Sequence, residues 1–354
     1  MKSKRRRKSR NSVTLHDVAK HAGVSPMTVS RVIGGRTHVS EILRGRVTAA
    51  IERLGYSPDA AARSLASAGT LRIGLLYGNP SATFTGEFLV ELLKNSARTG
   101  CQLVLEKCSA PRGMRVSAQK LIKKGIDGVL LPTPLCDSLA LLRQLDAAGV
   151  PFVAVGTGRE DGPGLSVRID NFQAAEEMTR HLLSLGHRDI GFILGHPRQI
   201  DSAQRYEGFV SALRAAGLPV RPKWVKQGQY TYRSGLLAAQ QLLRTRDRPT
   251  AIFASNDDMA AGALATAHRL KLEVPLDLTI VGFDDTPLAT TLWPSLTTIR
   301  QPVDELTRLA LAMVVEEIRS RRDGQGPSQR QELVKLALVK RESAAAVQSR
   351  SRNV

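Results

Sequence analysis

The chain has 354 residues, 42% of them hydrophobic, three cysteines and a formal net charge of +19. So much apolar chain supports two or three packed domains and excludes global disorder, while an odd cysteine count without a CxxC pair excludes a disulfide framework and a cysteine-based zinc site. Residues 1–71 hold 14 Lys and Arg against 4 Asp and Glu, an imbalance that points to nucleic acid as the partner.

Lys2, Lys4, Arg5, Arg6, Arg7, Lys8 and Arg10 open the chain as a basic tail over 1–12, either a solvated segment or a non-specific phosphate contact. No apolar segment follows it, so no secretory signal or transmembrane helix is expected, and the expectation is a soluble, cytoplasmic protein with no membrane partner. Thr14 and Asp17 are spaced to cap a helix carrying Leu15, Val18, Ala19 and Ala22 on one face. Gly23 allows a tight turn, and Ser25 with Pro26 starts a second helix that turns Val29, Val32 and Ile33 inward. Ser40 caps a third, with Leu43, Val47, Ala50, Ile51 and Leu54 as its apolar stripe and Gly55 as its end. Two helices joined by a glycine turn form a DNA-reading unit, although ordinary bundles contain such pairs as well. Residues 57–66 have capping residues followed by helix formers, in a segment too short to be helical without a partner.

VTLHDVAKHAGVSPMTVSRVI and the later HVSEILRGRVTAAIERLGYSPDAAARSLA resemble the headpiece of the LacI/GalR (lactose-repressor) family of bacterial transcriptional regulators over some fifty-five positions. The resemblance implies a helix-turn-helix domain at 13–56 and a hinge helix and linker at 57–70. It places the second helix in the major groove, with Pro26, Met27 and Arg31 at base edges. Arg31 can fork onto guanine, the alternative being a phosphate contact, whereas Met27 and Pro26 offer apolar contact. Leu15, Ser25, Thr28 and Ser30 join the implied DNA-binding set, the hydroxyls as phosphate clamps. His16 and His38 align with DNA-facing positions, though each also suits a plain surface role. In the hinge, Ala62 and Leu65 are the implied minor-groove residues, with Leu65 as the wedge; without the resemblance Leu65 reads as core. Gly34-Gly35 departs from the polar residues common there in the family.

From Leu71 onward, LRIGLLYG, CQLVLEKC, DGVLLP, VPFVAV, IGFILG, TAIFASN and LTIVGFDD alternate with amphipathic stretches. That is the pattern of repeated βα units and parallel sheets. The fold class expected is an N-terminal all-α headpiece plus an α/β core of two doubly wound parallel-sheet lobes. VRIDNFQAA, LGHRDIGFI, RPTAIFASNDDMAAGAL and VGFDDTPLA resemble the periplasmic-binding-protein-like core of the same family. The resemblance gives a core at 71–343, with lobe 1 at about 71–169 and 301–328, lobe 2 at about 170–300 and 329–343, and a tail at 344–354. Phe84, Asp201, Arg205, Tyr230, Asn256 and Asp284 are the implied effector-binding residues. Their donors, acceptors and flat walls suit a polyhydroxylated ligand. Alternatively, Arg205 is a surface cation and GFDD a capped strand end. Gly156 and Gln199 depart from the family's acidic residue and from the arginine of its purine-binding members, which favours a sugar or glycoside over a purine. Trp293 is expected to pack rather than stack on a ligand.

No GxxxxGK, GxSxG or HExxH motif occurs, and Gly156-Thr157-Gly158 leads to Gly162-Pro163 rather than to a helix start. No catalytic residue, cofactor or metal is therefore expected. The last residues lack leucine heptads, so the expected assembly is a homodimer on a near-palindromic double-stranded operator, acting as a repressor that a sugar-type inducer controls allosterically. The competing classes are a solute-binding protein or sugar enzyme on the same fold and an architectural protein that binds DNA by charge alone.

Overall fold

The structure, a computed structural model, describes residues 14–33, 39–54, 56, 70–79, 81–108, 113–157, 159, 161–244 and 247–347. The basic tail, Gly34-Gly35, His38, Gly55 and the hinge residues through 69, Ala62 and Leu65 among them, lie outside the described residues. The chain divides into two compact units, Met1–Leu71 and Arg72–Val354.

In the first unit, α1 (Leu15–Ala22) starts at a capping box: Asp17 N–H donates to Thr14 Oγ1 at 3.3 Å, and Thr14 N–H to Asp17 Oδ2 at 2.8 Å. Two otherwise orphaned amides are satisfied this way. Gly23, at φ +63°, ends the helix in a conformation that disfavours a side chain. Next come α2 (Pro26–Ile33) and α3 (Glu41–Leu54). Val18, Ala19, Ala22, Val29, Val47 and Ala50 form the core, with Tyr56 closing it as a residue absent from the expected stripe.

The second unit begins with β1 (Arg72–Tyr77), α4 (Ala82–Thr99), β2 (Gln102–Lys107), α5 (Met114–Lys123), β3 (Gly128–Pro132), α6 (Leu139–Ala147), β4 (Phe152–Thr157) and β5 (Leu165–Ile169). It continues with α7 (Asn171–Ser184), β6 (Ile190–Leu194), α8 (Ile200–Ala215), β7 (Val225–Gln227), α9 (Tyr232–Leu243), β8 (Ala251–Ala254) and α10 (Asp257–Arg269). The last elements are β9 (Thr279–Val281), α11 (Leu288–Thr291), β10 (Thr298–Arg300), α12 (Val303–Arg322), β11 (Arg330–Val334) and β12 (Ala337–Val339).

Two all-parallel sheets, ordered β11-β5-β4-β3-β1-β2 and β7-β6-β8-β9, give the two lobes. β3 and β4 are buried along their whole length, as strands covered on both faces by helices must be. Each sheet runs outward in both directions from its first strand. The order therefore reverses between β1 and β3 in lobe 1 and between β6 and β8 in lobe 2, and ligands bind in the crevice at such switch points. β10 and β12 pair antiparallel, and α12 returns to pack on lobe 1 against α4, β3 and β4.

The expected lobe boundary at 329 needs correction. β11 pairs in parallel with β5, from Arg330 opposite Leu165 to Val334 opposite Ile169, so the chain stays in lobe 1 through Val334. Only then does it cross to β12. β11 is largely exposed, and backbone hydrogen bonds to β5 assign it to its sheet in place of an apolar face. Among the described residues no helix is long and apolar enough to cross a membrane.

Candidate functional site

On α2, Val29 is buried and Val32 packs on the core, while Pro26, Met27, Ser30 and Arg31 are exposed; Met27 shows 63% of its surface. Four positions spaced i, i+1, i+4 and i+5 share one helix face, so the base-contact residues expected from sequence lie together on the outward side of α2. Ser25 Oγ accepts the Thr28 amide at 3.2 Å and lies 2.9 Å from the Thr28 hydroxyl. It already serves as a helix cap, which limits what it can offer a phosphate. His16 is exposed, but Leu15 is half-buried against the headpiece core, so only part of its side chain faces outward.

In the second unit, a cavity of about 20 Å³ between the lobes is lined by Asn79, Ser81, Phe84 and Thr133 from lobe 1, Asp201, Arg205, Tyr230, Asn256 and Asp284 from lobe 2, and Gln301 at a crossing. The first four follow β1 and β3; Asp201, Arg205 and Asn256 follow β6 and β8. The two switch points thus face one another across the cleft. All six residues expected from sequence to bind effector border this cavity. Asn79, Ser81, Thr133 and Gln301 were missed, although Gln301 adjoins the expected crossing near Arg300.

Arg205, 3% exposed, is the hub. Its Nε donates to Asn171 Oδ1 at 2.9 Å and its Nη1 to the Ser255 carbonyl. Asp284 stands 3.8 Å from the same Nη1 and Asp201 4.0 Å from Nη2, and the guanidinium lies 3.6 Å over the Phe283 ring. A surface helix cation is excluded. Burial raises the Asp284 carboxyl well above the usual carboxylate range despite the opposing pull of Arg205, and Gln301 Nε2 donates to Asp284 Oδ1 at 2.7 Å. Behind it, burial raises Asp257 to about 7 although Thr298 and Thr286 donate to it. The Tyr230 hydroxyl is buried without a hydrogen-bond partner and faces the same cavity. Asn256 caps α10 by accepting the Met259 amide at 3.0 Å and donates to the Tyr230 carbonyl at 3.2 Å.

Tyr230, Asp284 and Asp285 hold φ of +59°, +121° and +60°. Such backbone costs about 1–3 kcal/mol per residue and concentrates at binding sites. Trp293, expected to pack, is instead 77% exposed. It follows the short α11 and precedes Pro294.

Among the described residues no group of three His, Cys, Asp or Glu side chains is arranged to hold a metal. The cleft presents guanidinium, carboxyl, amide, phenol and hydroxyl groups together with the Phe84 and Tyr230 rings. That set can bind a ligand carrying several adjacent hydroxyls.

Residues 14–59 match the model of "Bacterial regulatory proteins, lacI family", and residues 179–344 match that of the periplasmic binding protein-like domain. The chain is 38% identical over 315 residues to the HTH-type transcriptional repressor PurR of Yersinia pestis (strain Pestoides F), covering 88% of this chain and 92% of that protein. It superimposes with TM-score 0.69 and 29% identity on the transcriptional regulator CelR in complex with cellobiose, covering 94% of this chain and 99% of the other. The lac repressor dimer bound to operator and the anti-inducer ONPF gives TM-score 0.69 and 27% identity, covering 95% and 100%.

Proposed function

Since the chain belongs to the LacI family of DNA-binding bacterial regulatory proteins, we propose that it is a homodimeric repressor whose operator binding is released by a sugar or glycoside in the interlobe cleft. The carrying observation is that Phe84 of α4, Asp201 and Arg205 of α8, and Tyr230, Asn256 and Asp284 from connecting segments line a single cavity at the facing switch points. A carboxyl, a guanidinium and an amide sharing a cavity with two aromatic rings match the alternating donors and acceptors of a polyol. DNA contacts come from Pro26, Met27, Ser30 and Arg31, with His16, Ser25 and Thr28 at the flanks and Leu15 contributing in part. Two such headpieces about 34 Å apart fit successive major grooves of a near-palindromic site. His38, Ala62 and Leu65 stay in the proposal on the strength of the sequence resemblance alone.

A sugar-sized guest needs far more than the present cavity, about 300 Å³ or more for a small-molecule site. Binding therefore requires the lobes to part, and the ligand then selects the lobe angle it fits best. That angle is proposed to govern whether the two hinge segments pair on DNA.

A purine effector is the second reading, favoured by the PurR similarity. Against it, Gln199 stands at the start of α8, where the sequence resemblance implies an arginine for purine binders. A thermal-shift series separates the two. Cellobiose, other disaccharides and monosaccharides are compared with hypoxanthine and guanine; at 100 times Kd a true ligand adds about 2.7 kcal/mol of stability. At least one sugar is expected to raise Tm and both purines to leave it unchanged; a rise with purine alone reverses the assignment.

A further inference from the structure

At the edge of the cavity, a contact between side chains ties the lobes together directly. Asp258, in the first turn of α10, is 9% exposed. Its Oδ2 accepts the Ser81 hydroxyl at 2.7 Å, and its Oδ1 accepts the Thr83 hydroxyl. Both donors belong to the first turn of α4 in lobe 1, Ser81 as its cap and Thr83 within it, whereas Asp258 belongs to lobe 2. The Ser81 side chain, 3% exposed, also accepts the Phe84 amide at 3.2 Å, which caps α4 and fixes the backbone of an aromatic cavity wall. Ser81 N–H donates in turn to Asn79 Oδ1 at 2.8 Å, and Asn79 Nδ2 to the Thr133 carbonyl at 3.3 Å. The turn is thus braced within lobe 1 and aimed at one carboxylate in lobe 2.

We propose that Asp258 is a closing latch, a positioning residue that draws the Ser81–Phe84 turn onto lobe 2 and sets the balance between closed and open cleft. When the lobes part, both carboxylate oxygens return to water; when they close, two hydroxyls replace that water in a nearly dry seam. The position in the first turn of α10 favours a negative charge there, because the helix amides point toward it. Hydrogen bonds to charged groups are among the stronger ones a protein makes, so two of them across a hinge weight its equilibrium. Replacing Asp258 or Thr83, neither of which lines the cavity, should loosen the closed cleft while leaving Arg205 and Asp284 in place. The inference rests on the cleft being the regulatory site only for its consequence on DNA. Its test needs neither effector nor operator, so failure of the latch and failure of the proposed function are separable.

The test is amide exchange by mass spectrometry on the full-length protein as wild type, Asp258→Asn, Thr83→Val, and the combined variant. Segments 79–85 and 255–260 should exchange at least about tenfold faster in each, as expected for losing hydrogen bonds to a charged group. β6 and β8 should keep their protection, which a general loss of stability would not allow. The combined variant should exchange no faster than Asp258→Asn alone, since both sides belong to one interaction. Unchanged exchange in both segments, or effects that simply add, would overturn the latch. Thr83→Val, at a half-buried site, provides the same comparison with wild type if the Asp258 variants fold poorly.

Discussion

Glu87 shows how burial sets a charge state. It sits on α4 with Oε2 buried and without a hydrogen-bond partner, and burial, with Asp285 and Glu91 adding, raises its carboxyl to about 7. Asp285 is itself held by Arg300 and Arg341, each at 2.6 Å, and Glu91 by Lys94 at 2.7 Å. A carboxyl raised in the folded state makes its full contribution below its unfolded value and loses it as pH climbs through about 7. Asp257, also near 7, acts in the same direction. The wild type should therefore melt at a lower temperature at pH 8 than at pH 6. Glu87→Gln should flatten part of that slope, and an unaltered slope would show that Glu87 ionises normally. Arg31, exposed on the outward face of α2, is the residue that tests base reading. Arg31→Ala should weaken cognate-site binding by about 1–3 kcal/mol and leave random duplex nearly unaffected; equal losses on both would make it a phosphate contact. Residue identities were legible where chemistry is local, as at the Thr14–Asp17 capping box, or where a motif marks them, as at Arg205 and Asp284. Gln301 and Ser81 carry no motif and acquire meaning only when the lobes meet. Trp293, an aromatic residue expected to pack, is exposed, and its sequence neighbours do not reveal this.

At the scale of elements, the βα alternation could be read because runs such as LRIGLLYG, DGVLLP and VPFVAV are apolar enough to stand out. β7, β10, β11 and β12 are short or exposed, and backbone pairing defines them. This is why the last lobe boundary was misplaced. Helix packing gives a sharper test. A methyl at Gly262 on α10 would collide with the Tyr232 carbonyl and the Leu236 amide of α9, whereas one at Gly86 on α4 would meet nothing within 4 Å. Gly262→Ala should destabilise by about 1–3 kcal/mol through overpacking. Gly86→Ala should instead stabilise by about 0.5–1 kcal/mol, because alanine loses less backbone entropy in a helix. Urea unfolding of both variants checks the pair, and a stable Gly262→Ala would mean that α9 and α10 pack less closely than described.

For the whole molecule, two kinds of surface have to be coupled. The headpiece offers an outward row of side chains on α2; the core offers a cleft whose walls belong to two lobes that the chain crosses between three times. Linking them requires a ligand with different affinities for the two lobe arrangements, about 10⁴-fold to move the balance from 1:99 to 99:1. The most direct measurement is the affinity of the purified protein for a selected near-palindromic duplex and its scrambled counterpart, at fixed salt, with and without the sugar that raises its Tm. A preference for the palindrome of at least about a thousandfold is expected, lost when the sugar is added. Equal affinity for both duplexes under every ligand condition would contradict it.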